Sequence, residues 1–255
     1  MARTNHGALG ANVRRLVKVA VATLVCASSL SMAGPLDSAP AGRWYQFPSS
    51  RLDAVAPSPL PPGYIAAVMV AWSGGVFDTD RDRLVVWGGG HSDYGGNEVY
   101  AFGPLSSDTP RWERLTDPSN PPANNVVRAG DGRPVSRHTY NLLTYLPAPH
   151  NKMMSCAVGS QYSNGYAAGG VDFYDFTING KTGQPWSAGP TAPSNAYAYN
   201  SYCVYNPSTQ SVFYQDVGSN SSRLQEFKLA TQSWTSHVNY DPNSSPTAAV
   251  TPSAA

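Results

Sequence analysis

Apolar and polar residues alternate along this chain in short runs broken by Pro, Asp, Asn and Gly, and the pattern recurs. From Val76 to Phe102 the chain reads VFDTDRDRLVVWGGGHSDYGGNEVYAF, and PRWERL follows from Pro110 to Leu115. A second copy begins at Arg137 to Ser160, RHTYNLLTYLPAPHNKMMSCAVGS, continues with VDFYDFTI from Val171 to Ile178 and reaches Trp186. A third runs from Tyr202 to Trp234 as YCVYNPSTQSVFYQDVGSNSSRLQEFKLATQSW. Each copy predicts an apolar strand, a Pro/Asp/Asn turn of about five residues and a second strand rich in Val, Met, Phe or Trp. The step from Asp78 to Leu84 recurs as Asn206 to Val212, and the turn of the second copy is one residue longer. The third strand alternates, as in Glu98-Val99-Tyr100-Ala101-Phe102 and Leu224-Gln225-Glu226-Phe227-Lys228, so successive side chains go to opposite sheet faces. A fourth strand carries Trp. Gly (23) and Pro (22) are abundant while only 13% of residues are charged, which favours short strands and tight turns over long amphipathic helices.

Four antiparallel strands per repeat make a propeller blade, so the predicted class is all-β. Leu84-Val85-Val86-Trp87-Gly88-Gly89-Gly90, then Asn97 to Phe102 with Tyr100, then Trp112, resembles the kelch family in its hydrophobic strand, paired glycines, tyrosine and tryptophan. It is also similar to the propeller of galactose-oxidase-like proteins. The resemblance covers roughly residues 43 to 240, and the glycine pair becomes Val158-Gly159-Ser160 and Val217-Gly218-Ser219 in the later copies. Gly88 and Gly89 are read as architecture, letting strand two end where a neighbouring backbone comes close. Trp112, Trp186 and Trp234 are read as packing residues between blades. The resemblance implies a kelch-like β-propeller of about three four-stranded blades over residues 34–240. It also implies a closing strand near Gly42 to Phe47, in which Trp44 is the outer-strand tryptophan. Residues 241–255 form a tail in which Ala248 to Pro252 could open a fourth blade. Three blades do not close a ring that takes four to eight, so an incomplete ring is expected, from truncation or from completion in trans by an oligomer.

Residues 1–33 differ in kind. Arg3, Arg14, Arg15 and Lys18 precede an apolar run from Val19 to Leu30, and Ser31-Met32-Ala33 offers small residues for cleavage: a signal peptide, too short to span a bilayer. A secreted or periplasmic chain of bacterial type follows, with no membrane span in its mature part. Four of the 17 Lys and Arg and none of the 16 Asp and Glu lie in this leader, so the remainder carries about −3 with His neutral. That balance, with no basic stripe, disfavours nucleic acid as a partner. Outside the leader only Cys156 and Cys203 remain. An oxidising compartment would permit a disulfide if the fold brings them together, and two separately buried thiols are the other reading.

Candidate chemistry gathers where the loop after strand two of the first copy, His91-Ser92-Asp93-Tyr94, faces the connection Ser136-Arg137-His138-Thr139-Tyr140 before the second. In one reading His91, Asp93, Arg137 and His138 bind a polar or anionic ligand, Tyr94 and Tyr140 form walls, and Gln161, Tyr162 and Asn164 come from the next equivalent loop. In the other, Asp93 pairs with Arg137 and each His satisfies backbone between blades. No cofactor is called for by a local motif. The galactose-oxidase resemblance implies a copper centre of two His with Tyr ligands, one Tyr joined to Cys, and the acidic turn Asp78 to Asp82 leaves calcium as an option although it lacks the glycine and distal Glu of a helix-loop-helix site. The expectation is a binding or interaction scaffold for a protein or carbohydrate ligand. The alternatives are an extracellular galactose-oxidase-like oxidoreductase and an inactive truncated product.

Overall fold

The structure is a computed structural model and describes residues 39–89, 93–120, 126–156, 170–191, 201–216 and 222–240. The leader and the tail of the sequence reading lie outside these residues.

The first repeat forms β1 (Gly74–Asp78), β2 (Arg83–Trp87), β3 (Tyr100–Gly103) and β4 (Arg111–Arg114). The second forms β5 (Leu143–Leu146), β6 (Lys152–Ser155), β7 (Gly170–Asp175) and β8 (Trp186–Thr191). The third forms β9 (Tyr202–Asn206), β10 (Ser211–Asp216), β11 (Ser222–Lys228) and β12 (Ser233–Tyr240). Each set is a four-stranded antiparallel sheet whose strands follow one another in chain order. Almost no helix accompanies them, and no helix among the described residues is long and apolar enough to cross a membrane.

The hairpin turn is repeated down to its dihedrals. Asp82, Asn151 and Gln210, each the residue before the second strand of its sheet, have φ between 52° and 54°, and Gln232 before β12 has φ 50°. A left-handed residue there reverses the chain into the next strand, a conformation that Asn and Asp tolerate better than most side chains. The acidic residues of the first turn are all engaged. Asp78 is fully buried between Arg81 (3.3 Å) and Arg83 (2.9 Å), Asp80 accepts from Tyr145 Oη and the Ala148 amide, and Asp82 accepts from the Ser106 amide. The turn is therefore a junction to the second sheet rather than a solvated loop, and its carboxylates do not converge as a calcium site would require.

Period-two side-chain direction explains how the sheets stack. On β2, Val85 and Trp87 enter a core shared with Leu143, Met153, Tyr174 and Trp186 of the second sheet, while Val86 between them enters the core on the opposite face. On β6, Met153 faces the first sheet, and Met154 faces the third, joining Val212, Tyr214 and Phe227. The first strands, β1, β5 and β9, pack against one another in sequence, and Asn141 pairs with Tyr202 in parallel. Consecutive meander sheets stacked face to face, with their first strands side by side, have the arrangement of propeller blades. Among the described residues they do not close into a ring.

Trp186 fulfils the expected inter-blade role, with its ring 4.9 Å from Trp87, and Trp234 packs partly buried on the core between the second and third sheets. Trp112 behaves differently: its Nε1–H donates to the Ser50 carbonyl (2.9 Å), and its ring packs with Leu52, Ala67, Val68 and Ala71. The outer face of the first sheet is thus covered by the segment before it, through a 3-10 turn at Leu52–Val55 and a single helical turn, α1, at Ala67–Val70. The expected closing strand is not formed, since residues 43–46 have no strand structure and Trp44 is fully exposed. Pro57, Pro59, Pro61 and Pro62 lack the N–H donors that a ladder consumes, which favours the covering segment over another strand. At the other end, Tyr202, Val204 and Leu224 of the third sheet face solvent.

Candidate functional site

In the connection from the first sheet to the second, the neighbours Arg137 and His138 place their side chains against different partners. Arg137 turns inward. Its guanidinium is 1% exposed, lies over the Trp87 ring at 5.6 Å, donates to the Val127 (3.0 Å) and Val135 (3.3 Å) carbonyls, and pairs with Asp172 of β7 at 3.4 Å. Arg128 pairs with the same carboxylate. Burial, aided by the Arg128 charge, lowers the Arg137 pKa to about 10, so the side chain stays charged at neutral pH. Arg137 is thus an inter-blade tie and not a ligand contact, and its partner is Asp172 rather than Asp93.

His138 turns the other way. Its Nε2 is 3.1 Å from Asp93 Oδ2 and its Nδ1 is 3.2 Å from Tyr140 Oη. The imidazole is almost enclosed, whereas the Asp93 side chain is 31% exposed and so carries the dyad to the surface. Two backbone devices fix this geometry. The Trp72 carbonyl accepts from both the Thr139 (3.1 Å) and Tyr140 (2.9 Å) amides, and Thr139 Oγ1 accepts from the Gly74 amide (2.6 Å) while donating to the Trp87 carbonyl (3.2 Å). Gly88, at φ 133°, permits the approach: a Cβ there would stand 2.9 Å from the Arg137 carbonyl oxygen, the close neighbouring backbone that the paired glycines implied.

Trp72 completes the cluster. Its ring centroid lies 6.2 Å from both His138 and Tyr140, and the residue is 63% exposed at φ 54°. The pair of rings, Trp72 and Tyr140, forms part of the wall of an open cavity of about 430 Å³ at the entrance between the first strands, which Asn141, Leu143, Tyr202 and Val204 also line. The cavity lining joins the Trp72 and Tyr140 rings to the Asn141 amide, while the His138–Asp93 dyad lies behind these rings and outside the lining. A second cavity of about 400 Å³ lies between the first two sheets near Arg83, Arg114 and Lys181, but these cations already face Asp78 and Asp117.

Of the other expected residues, Tyr94 is not a wall. It is fully buried, and its hydroxyl donates to Glu98 Oε1 at 2.9 Å, beneath the first sheet's outer face beside Tyr100. Burial pushes the Glu98 carboxyl above the usual carboxylate range, and raises the Tyr94 and Tyr100 hydroxyls as well. His91, Gln161, Tyr162 and Asn164 lie outside the described residues. Trp72 and Tyr202 were not singled out from sequence. Trp72 stands two residues before β1, where the later copies carry Asn141 and Asn200, so no repeat in the sequence marks it.

Of the histidines that the implied copper centre would draw on, His91 lies outside the described residues and His138 contacts Tyr140. Both His138 ring nitrogens are hydrogen-bonded, and no three His, Cys, Asp or Glu side chains among the described residues are grouped to hold a metal ion. No protein-family model matches the chain, and no curated protein matches it.

Proposed function

We propose that this chain is an exported kelch-like binding propeller that captures its ligand at the blade entrance, on Trp72 and Tyr140 beside the His138–Asp93 dyad. The single observation that carries this reading is a large aromatic ring, Trp72, left 63% exposed against a nearly enclosed, hydrogen-bonded His. An indole held open by the backbone loses little conformational entropy on stacking, and the Asn141 amide supplies a polar contact that orients a ring-shaped ligand. A carbohydrate fits this chemistry best, because a sugar ring presents an apolar face and a polar rim together.

The test is retention of the purified protein on a panel of immobilised oligosaccharides, with Trp72→Ala and Asp93→Asn beside the unaltered chain. Retention of the unaltered chain with loss in Trp72→Ala supports the proposal. Retention unaffected by either substitution, or no retention on any member, contradicts it. A galactose-oxidase-like oxidoreductase is the second reading, favoured by the 3.2 Å contact of His138 with Tyr140, which brings two of that centre's ligand types together. Stoichiometric copper bound by the purified protein, and lost in His138→Ala, would favour it over the binding scaffold.

A further inference from the structure

The cavity of about 400 Å³ between the first two sheets holds more positive charge than its carboxylates balance. Arg81 and Arg83 line it from the start of β2, Arg114 from the end of β4, and Lys181 from the turn between β7 and β8. Asp78 is shared by Arg81 and Arg83, and Asp117 by Arg114 and Lys181, so each carboxylate leaves one positive charge unbalanced. Glu113 in the lining offsets one of the two. Unused donors accompany the remaining charge. Arg83 donates to Asp78 through Nε alone (2.9 Å), and its two terminal amines have no hydrogen-bond partner among the described residues. Its guanidinium is held 5.3 Å from the Phe176 ring centroid. Tyr174, only 2% exposed, also lines the cavity, and its hydroxyl has no hydrogen-bond partner among the described residues. A Cβ at Gly180 would stand 3.0 Å from Tyr174 Oη, so this hydroxyl sits against the turn that carries Lys181. Burial pushes the hydroxyl above the usual tyrosine range, which keeps it a neutral donor that does not repel an anion.

We propose that this cavity binds an oxyanion, the phosphate, sulfate or carboxylate group of a small molecule, on the terminal amines of Arg83, the Tyr174 hydroxyl and Lys181. A planar guanidinium with both terminal amines unused is the fork that such oxygens match, and a buried hydroxyl without a partner gains a charge-assisted bond when the anion enters. The volume exceeds what one oxyanion fills, and Phe176 and Ile178 line the rest as an apolar wall for the carbon skeleton that carries it. The site shares no lining residue with the cavity at the blade entrance and does not rest on ligand capture there. Arg83 belongs to the first sheet, and Tyr174 and Lys181 to the second, so a bound anion bridges the two and stabilises the folded chain as its concentration rises above the dissociation constant.

The experiment titrates the full chain with sodium phosphate, sodium sulfate and sodium acetate in parallel, against sodium chloride at matched ionic strength, and follows the unfolding temperature and the proton–nitrogen NMR spectrum. With at least one oxyanion, and not with chloride, the Gly180 and Lys181 amide signals and the Arg83 Nε–H signal should shift saturably while the unfolding temperature rises. Tyr174→Phe keeps the ring that packs on Phe176 and Trp186 and removes only the hydroxyl, and it should raise the dissociation constant about 10-fold. Lys181→Gln, at the exposed edge of the cavity, should raise it by a smaller factor. No saturable shift with any of the three oxyanions, a response that chloride reproduces, or a dissociation constant unchanged in either variant would overturn the proposal.

Discussion

Met153 and Met154 are adjacent on β6, and both are fully buried. In a sheet covered on one side only, one of any two neighbours faces solvent. Here Met153 fills the core against the first sheet, beside Val85, Trp87 and Trp186, and Met154 fills the core against the third, beside Val212 and Phe227. Truncating either to Ala removes three heavy atoms from a closed core, a change that costs about 2–5 kcal/mol through lost transfer energy and the cavity left behind. For a domain of this size that corresponds to roughly 5–15 °C in unfolding temperature. The two side chains occupy separate cores, so their effects should sum to within about 0.5 kcal/mol in the double variant. Urea titrations followed by circular dichroism, with calorimetry alongside, measure all three variants. A loss below about 0.5 kcal/mol for either single variant would mean that its face of β6 is solvated, refuting face-to-face stacking of the three sheets.

Asp172→Asn should cost about 3–5 kcal/mol in the same titration, because Arg137 would remain buried and charged without its anion; a loss under 1 kcal/mol would show that the pair is solvated. Thr139→Val removes the hydroxyl that serves the Gly74 amide and the Trp87 carbonyl, and should cost about 2 kcal/mol or more while leaving secondary structure unchanged. Glu98 has a folded-state pKa raised by burial, so the folded state binds its proton more tightly than the unfolded chain. Its stability contribution is then complete below the ordinary glutamate value and is lost as pH rises through the folded value. Glu98→Gln, which keeps an acceptor for the Tyr94 hydroxyl, should therefore be more stable than the unaltered chain at pH 7 and lose that advantage near pH 4. Equal pH profiles for the two proteins would contradict this assignment.

The repeat was readable because alternation and turn chemistry are local. Val85, Val86 and Trp87 announce a strand buried on both faces, and Asp82 and Asn151 stand where the backbone turns left-handed. The glycine step at Gly88 was legible for the same reason, since only a close backbone explains it. Partners across sheets were not legible. Arg137 lies near Asp93 in the connectivity of the loops, yet in the folded chain Arg137 pairs with Asp172 on β7 and Asp93 with His138. Trp44 carried the tryptophan signal of a blade, but Leu52 and the apolar turn Ala67–Val70 cover the first sheet instead. Tyr94 was misplaced because a tyrosine in a loop reads as a wall, whereas Glu98, four residues on, gives its hydroxyl a buried acceptor. Trp72 precedes the first clear strand and repeats nothing, so only the folded chain brings it to His138 and Tyr140.

The measurement that bears most directly on the proposed site is an NMR titration of the indole N–H signals with oligosaccharides retained in the panel. The Trp72 signal, assigned by its loss in Trp72→Ala, should shift in a saturable way while the enclosed Trp87 and Trp186 signals stay in place. Saturable shifts at Trp87 or Trp186 with Trp72 unmoved, or no shift at any indole, would contradict ligand capture at the blade entrance.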